Sequence, residues 1–205
     1  MITVLAGVNG AGKSSIGGSA IRQRGGEWYN PDEVAREMSR QFPEMSLQEI
    51  HGTVWQHGLG HLKEAIENGL DFTFETTLGG NTITKTLLDA IAFGVPVKIW
   101  YCGLESVELH INRVAARVAR GGHDIPEDKI RSRYTSSIAN LCRLTPGLSE
   151  LAVYDNSMPI NSQRQPQIKR VLHVNGGKIL EMETGMPEWA KPVAAVCLEH
   201  FDRNR

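Results

Sequence analysis

The sequence predicts an α/β fold, a mostly parallel sheet with flanking helices in three layers. Three observations predict it. Short apolar runs alternate with longer helical patterns, the order that parallel strands and crossover helices require. The first run, "ITVLA" at 2–6, passes directly into a glycine-rich turn, "GVNGAGKS" at 7–14, and then into a helical pattern. Finally, 205 residues suffice for one α/β domain with a full core, and a second domain would be a squeeze.

After the strand at 2–6, Gly7, Gly12, Lys13 and Ser14 carry the spacing G-x-x-x-x-G-K-[ST], with Gly10 as an extra glycine. A loop that cradles phosphate points its N–H groups inward, and glycine reaches the required dihedrals without a Cβ penalty. The helix expected over 13–24 aims its positive end at the same anion. This is a P-loop, and Gly7, Val8, Asn9, Gly10, Ala11, Gly12, Lys13, Ser14 and Ser15 form its nucleotide-binding segment. Lys13 would reach the outer phosphates and the Ser14 hydroxyl would hold Mg²⁺. The bland alternative is a glycine-rich turn with a stray lysine; the strand before it and the helix after it count against that.

The second strand is expected at 27–30. Ligands of open parallel sheets sit beyond the carboxyl ends of the strands, so Asp32 in "EWYNPDEVAREM" falls near the γ-phosphate. A carboxylate there can accept a proton from an attacking hydroxyl or help place Mg²⁺. Aspartate is also a common helix cap, so Asp32 could instead cap a helix beginning at Glu33, and Asn30 could serve equally. Spacing alone leaves base and cap evenly matched.

A helix follows over 46–68. Its His57 and His61 have the i, i+4 spacing of helical metal ligands, but the glutamate of H-E-x-x-H is missing and no third ligand is adjacent. Gly52, Gly58 and Gly60 on the same helix suggest close backbone packing. The strand at 71–76 alternates Phe72 and Phe74 with polar residues and ends in "ETTLGG", which brings Glu75, Thr76 and Thr77 to the loop's edge of the sheet. Glu75 could accept hydrogen bonds from sugar hydroxyls there; a solvated strand end is the competing reading.

A helix at 81–93 and a strand at 95–102 lead to a helix at 105–120. Its Arg113, Arg117 and Arg120 fall within an arc of about 60°, apart from an apolar face of Ile111, Val114 and Val118. Such a stripe is by default a solvated face. Here it carries no carboxylate and runs into the Gly121–Gly122 hinge of "RGGHDIPED", so it fits a small lid over 113–133 whose arginines meet phosphate. A helix at 126–143, strands at 150–155, 169–174 and 178–182 and a helix at 187–202 complete the chain. The last two strands flank "NGG", a hairpin signal, and "NSQRQPQ" at 161–167 is a polar surface loop.

With 40% hydrophobic and 22% charged residues and a net charge of -1, the chain has no global field for nucleic acid or an anionic membrane. Its three cysteines lie far apart without metal or redox spacing, which suits a reducing compartment. No apolar run approaches a membrane span, and an N-terminus that is itself strand and loop leaves no signal peptide. A cytoplasmic protein is expected.

Taken in order, "GVNGAGKSS", "NPDEVA", "FETTLGG" and "RVAARVARGGHDIPEDKIRSRY" resemble the zeta-toxin-like P-loop kinases over roughly residues 1–145. The loop is shared with many NTPases; the arginine–GGH–IP–RY stretch is much more specific. The resemblance implies a nucleotide-kinase-like fold spanning 1–205 as one domain. It implies transfer of the γ-phosphoryl of ATP, with Mg²⁺, to a hydroxyl of a small-molecule acceptor, first of all UDP-N-acetylglucosamine. It assigns Lys13 and Ser14 to ATP–Mg²⁺, Asp32 to the catalytic base and Glu75, with Thr76, to the substrate. Arg113 and Arg120 would grip the transferring phosphate, with Arg117, His123 and Arg133 as further candidates, and an antitoxin protein becomes a candidate partner. The chain departs from the toxins in "FETTL", where they carry a glutamate followed by Gly-Thr, and in the spacing of its lid arginines and histidine. A kinase of another metabolite or of a nucleic-acid end, and a regulatory NTP-binding module, are the alternatives.

Overall fold

The computed structural model describes residues 1–14, 17, 21, 28–159 and 167–203. Ser15, most of the helix expected at 13–24 and all but the last residue of the 161–167 loop lie outside these. Seven strands form one sheet: β1 (Ile2–Ala6), β2 (Phe72–Thr76), β3 (Val97–Gly103), β4 (Glu150–Asp155), β5 (Lys169–Asn175), β6 (Lys178–Met182) and β7 (Asp202–Arg203). Their spatial order is β2-β1-β3-β4-β5-β6-β7. The β2, β1, β3 and β4 pairings are parallel, β5 and β6 are added antiparallel, and β7 is again parallel to β6. The chain leaves β1 to one side for β2 and then crosses to the other for β3. That reversal opens a crevice at the carboxyl end of β1, where the glycine loop lies.

Six α-helices are described: α1 (Pro31–Gln41), α2 (Leu47–Asn68), α3 (Asn81–Ala92), α4 (Val107–Val118), α5 (Glu127–Leu144) and α6 (Lys191–His200). One sheet face, with Ile2, Val4, Ala6, Val97, Ile99, Tyr101, Leu151 and Val153, packs into a core with Leu62 and Ala65 of α2, Leu87 of α3, Leu141 of α5 and Val193 of α6. The opposite face presents Leu5, Trp100, Cys102 and Tyr154, where Gly17 lies so close to Leu5 that a Cβ would sit 2.4 Å from it. A second small core joins Val8 of the loop to Val114 of α4 and Ile130 of α5. The P-loop-type α/β layering and the mostly parallel sheet agree with the sequence.

Local signals explain most boundaries. Ser46 and Glu49 form a reciprocal capping box at the start of α2, and Gly69 closes that helix in the left-handed region at φ 66. Gly176 and Gly177 both have positive φ and make the tight turn between β5 and β6.

Three expectations need correction. The strand at 27–30 reduces, among described residues, to a parallel bridge of Tyr29 with Phe74. Asn30 turns away to cap α1, and Pro31 has no N–H with which to continue a ladder. The helix expected to 120 ends at Val118, which leaves Arg120 in the turn beyond it. The C-terminal helix is a short 3₁₀ turn at Glu188–Ala190 followed by α6, and residue 202 begins β7. No described helix is long and apolar enough to cross a membrane.

Candidate functional site

Gly7, Gly10 and Gly12 adopt φ of 141°, 84° and 91°. A Cβ on Gly7 would lie 2.2 Å from the Cys102 carbonyl oxygen, one on Gly10 2.8 Å from that of His110, and one on Gly12 2.6 Å from Asn156 Nδ2. Both dihedral and space therefore demand glycine at all three positions. The loop's outward carbonyls are tied down by side chains. His110 Nδ1 donates to Asn9 O at 2.8 Å, and Cys102 Sγ and Asn156 Nδ2 both donate to Ala11 O at 2.9 Å. Burial pushes the Cys102 thiol up to about 12, so it stays an S–H donor.

His110 is buried, and that burial, reinforced by the charges of Lys13 and Arg113, pushes its pKa down to about 4. It is neutral in the folded protein, with its one ring proton on Nδ1 facing a carbonyl. In the unfolded chain it titrates near 6.5, so between about 6.5 and 4 the unfolded state binds more protons and stability falls as pH falls. His110→Asn retains an amide donor but does not titrate. Thermal melts from pH 7 to pH 5 should show a shallower loss of Tm for this variant than for the parent.

Beside the loop, Glu75 of β2 is buried and engages the side chains of Lys13 and Ser14. Its Oε1 lies 3.5 Å from Lys13 Nζ, and its Oε2 accepts from Ser14 Oγ at 2.9 Å. Glu75, Lys13, Asn9 and Thr76 also line a cleft of ≈ 640 Å³ outside the carboxyl ends of β1 and β2. Asp32, His51, His123 and Arg133 supply its other ionisable lining, and Tyr29, Val54, Trp55, Leu59 and Phe74 an apolar wall.

Asp32 opens α1 from the second helical position. The N-cap is Asn30, whose Oδ1 accepts from Asp32 N at 3.0 Å, so the capping role considered for Asp32 belongs to its neighbour. Arg117 Nη1 lies 4.0 Å from Asp32 Oδ2, while Arg117 Nη2 donates to His123 O at 2.7 Å. The imidazoles of His51 and His123 meet at 4.9 Å between ring centres. Burial and the neighbouring His51 lower the pKa of His123.

The three arginines of the predicted stripe do not converge. Arg113 Nη2 donates to the carbonyls of Asn156 (2.6 Å) and Met158 (3.4 Å), beyond β4. Arg120, past the helix end, folds its Nε back onto Ala116 O at 3.0 Å and does not line the cleft. Arg133 of α5 does line it: its stem crosses Gly79, where a Cβ would sit 2.7 Å from Cγ, and its Nη1 donates to Asn9 Oδ1 at 2.9 Å.

The "TTLGG" turn is built for rigidity. Thr76 and Thr77 spend their hydroxyls accepting from the N–H groups of Leu78 and Gly79. Leu78 sits in the left-handed region at φ 55, at a cost of about 1–2 kcal/mol, and buries its side chain completely. From α5, Ser137 and Asn140 donate to the carbonyls of Thr77 and Leu78. Of the α2 glycines, Gly58 packs under the Tyr29 ring, whereas a Cβ at Gly52 or Gly60 would meet nothing. His57 and His61 face each other on the exposed side, Nε2 to Nε2 at 3.0 Å.

Sequence reasoning missed Cys102, His110 and Asn156 beneath the loop, and the Tyr29–Trp55 wall. His110 alone left a signal: it lies on the same helical face as Val107, Val114 and Val118, a polar residue among apolar ones.

Comparison with known proteins gives the following. The AAA domain family model matches residues 2–136. An uncharacterised protein of Haemophilus influenzae is 34% identical over 129 residues, 62% of this chain and 88% of that protein. Among solved structures, the AvrRxo1-ORF1:AvrRxo1-ORF2 complex with sulphate ions is similar at TM-score 0.66 and 13% identity, over 98% of this chain and 76% of that one. The same pair with ATP gives 0.66 and 15%, over 96% and 63%. A structure of the PezAT chromosomal toxin–antitoxin system of Streptococcus pneumoniae gives 0.51 and 14%, over 80% and 68%. At these identities the likeness is one of fold.

Proposed function

The chain belongs to the AAA domain family, and from that premise we propose that it is an ATP-dependent phosphotransferase, one P-loop kinase domain that phosphorylates a hydroxyl of a small molecule. The observation that carries this reading is that Lys13 of the phosphate loop and the half-exposed carboxylate of Asp32 line one cleft. An acceptor in that cleft would meet the γ-phosphate on one side and a base on the other. A similar fold has been determined with ATP, which supports the donor.

In this mechanism the loop amides and Lys13 hold the triphosphate, and Asp32 takes the proton of the attacking hydroxyl. Ser14 Oγ and Glu75, two hard oxygen donors 2.9 Å apart beside Lys13, fit Mg²⁺, which Ser14 would hold. When bound, that ion offsets charge on the β- and γ-phosphate oxygens. Arg133, between the cleft and Asn9, stabilises charge on the phosphoryl group in transit, and Arg117 orients Asp32. The acceptor we favour is a nucleotide sugar of the UDP-N-acetylglucosamine type. Its support is the resemblance of the arginine–GGH–IP–RY stretch to the zeta-toxin-like kinases. The structural neighbours include complexes with partner proteins and a toxin–antitoxin system, which support an antitoxin-like partner.

The test is to incubate the protein with ATP, Mg²⁺ and a panel of nucleotide sugars and other hydroxyl metabolites, and to look for a mass gain of one phosphate. ATP binding with no transfer to any acceptor would favour a regulatory module instead. Between the arginines, Arg133→Ala should lower kcat by about 10²-fold with little change in ATP affinity, and Arg120→Ala should stay within about threefold of the parent. Steady-state kinetics with the reverse ranking would return the role to Arg120.

A further inference from the structure

One face of α4 carries three side-chain donors, and all three end on carbonyl oxygens of loops around the site. His110, Arg113 and Arg117 lie within an arc of about 60°. They donate to Asn9 O in the phosphate loop, Asn156 O beyond β4 and His123 O between α4 and α5. The contact at Asn156 continues inward, because Asn156, itself buried, donates from Nδ2 to Ala11 O. Two of the three contacts therefore converge on the phosphate loop, one directly and one through a single intermediary.

A loop peptide whose carbonyl is drawn outward turns its N–H the other way, toward the cavity that an anion would fill. Nothing in the glycine spacing enforces that direction, since glycine permits both signs of φ. The enforcement must come from outside the loop. We propose that His110 directly, and Arg113 through Asn156, are positioning residues that set the loop's N–H groups toward the triphosphate. The assignment rests on reading the loop as the triphosphate site. It gives Arg113 a task that does not involve touching phosphate, in place of the grip expected from the sequence. Arg117, the third donor on the same face, holds the 119–126 loop from the same helix.

The experiment measures the affinity of a fluorescent non-hydrolysable ATP analogue, well below each variant's Tm. The parent should bind and Lys13→Ala should not; a folded parent that fails to bind overturns the nucleotide reading itself. Given parental binding, His110→Leu should weaken affinity about 10-fold or more, and His110→Asn, which restores an N–H near the position of Nδ1, should recover most of it. Arg113→Met and Asn156→Leu should each weaken binding by about 5- to 10-fold. Their double variant should be no weaker than either alone, because the two act in series. Additive losses would mean that Arg113 meets phosphate directly and would overturn its part. Parental affinity in His110→Leu, with only Tm lowered, would make His110 a packing residue and overturn the other. If His110→Leu does not fold, the Arg113 and Asn156 cycle still decides, since both act from outside the loop.

Discussion

Lys13→Ala should lose phosphoryl transfer by about 10²–10³-fold or more, the scale set by removing one preorganised charge donor from a transferring phosphate. From the sequence, the lysine points to solvent-side phosphates and its loss should leave the fold unharmed. The structure changes that part of the expectation. The Lys13 and Glu75 side chains are each only 9% exposed and lie 3.5 Å apart, so removing the lysine leaves a buried carboxylate whose remaining side-chain partner, among the described residues, is the Ser14 hydroxyl. Breaking a buried pair costs about 3–5 kcal/mol at the upper end, and less where the carboxyl can take up a proton. A fall in both activity and Tm is therefore expected of the single variant, and activity alone would not identify the cause. Lys13→Met with Glu75→Gln separates the two effects. Removing both charges should restore most of the lost Tm, while transfer stays as low as in Lys13→Ala because the lysine charge is still missing from the phosphates. Recovery of turnover together with Tm would mean that Lys13 serves the fold and not the chemistry.

How far the sequence reached follows from the range of each interaction. The glycine loop was legible because spacing, dihedral and function coincide in eight consecutive residues. Helices such as α2 were legible because a capping box and an αL glycine are local signals. The bridge at Tyr29 reads as a strand because its apolar neighbours resemble one. What ended the pairing, the Asn30 cap and the missing N–H of Pro31, was present in the sequence but pointed equally to Asp32. The arginine stripe shows the sharper limit. Helical angles placed Arg113, Arg117 and Arg120 together correctly as directions from an axis. What each guanidinium meets depended on the loop beyond β4, on the 119–126 loop and on a helix that stops at Val118. Those partners are distant in sequence or depend on a helix end. The contacts of Asn156 with Ala11 and Arg133 with Asn9 span 145 and 124 residues and left no pattern to read.

Asp32→Asn should bind ATP with parental affinity, melt within a few degrees of the parent and transfer phosphate about 10²–10⁴-fold more slowly. From the sequence alone, a base and a helix cap call for the same residue type at this position. The cap is now Asn30, and the N–H it satisfies belongs to the backbone of residue 32, which the substitution does not alter. Two smaller terms remain. A carboxylate in the first turn of α1 contributes about 0.3–1 kcal/mol through the helix dipole. The pairing with Arg117 at 4.0 Å, between side chains 49% and 35% exposed, contributes about 0–1 kcal/mol. For a protein of this size that sum lowers Tm by only a few degrees. The loss of rate has a different origin, because asparagine keeps the shape but cannot take a proton. Asp32 and Glu75 are the only carboxylates lining the cleft among the described residues. Glu75 has both oxygens engaged by Lys13 and Ser14, whereas Asp32 has, among the described residues, one ion-pair partner, at the limit of contact. If Asp32→Asn turns over at the parental rate with the true acceptor, the base is His51 or His123, the remaining proton acceptors of the cleft. The pH–rate profile would then follow an imidazole instead of a carboxylate.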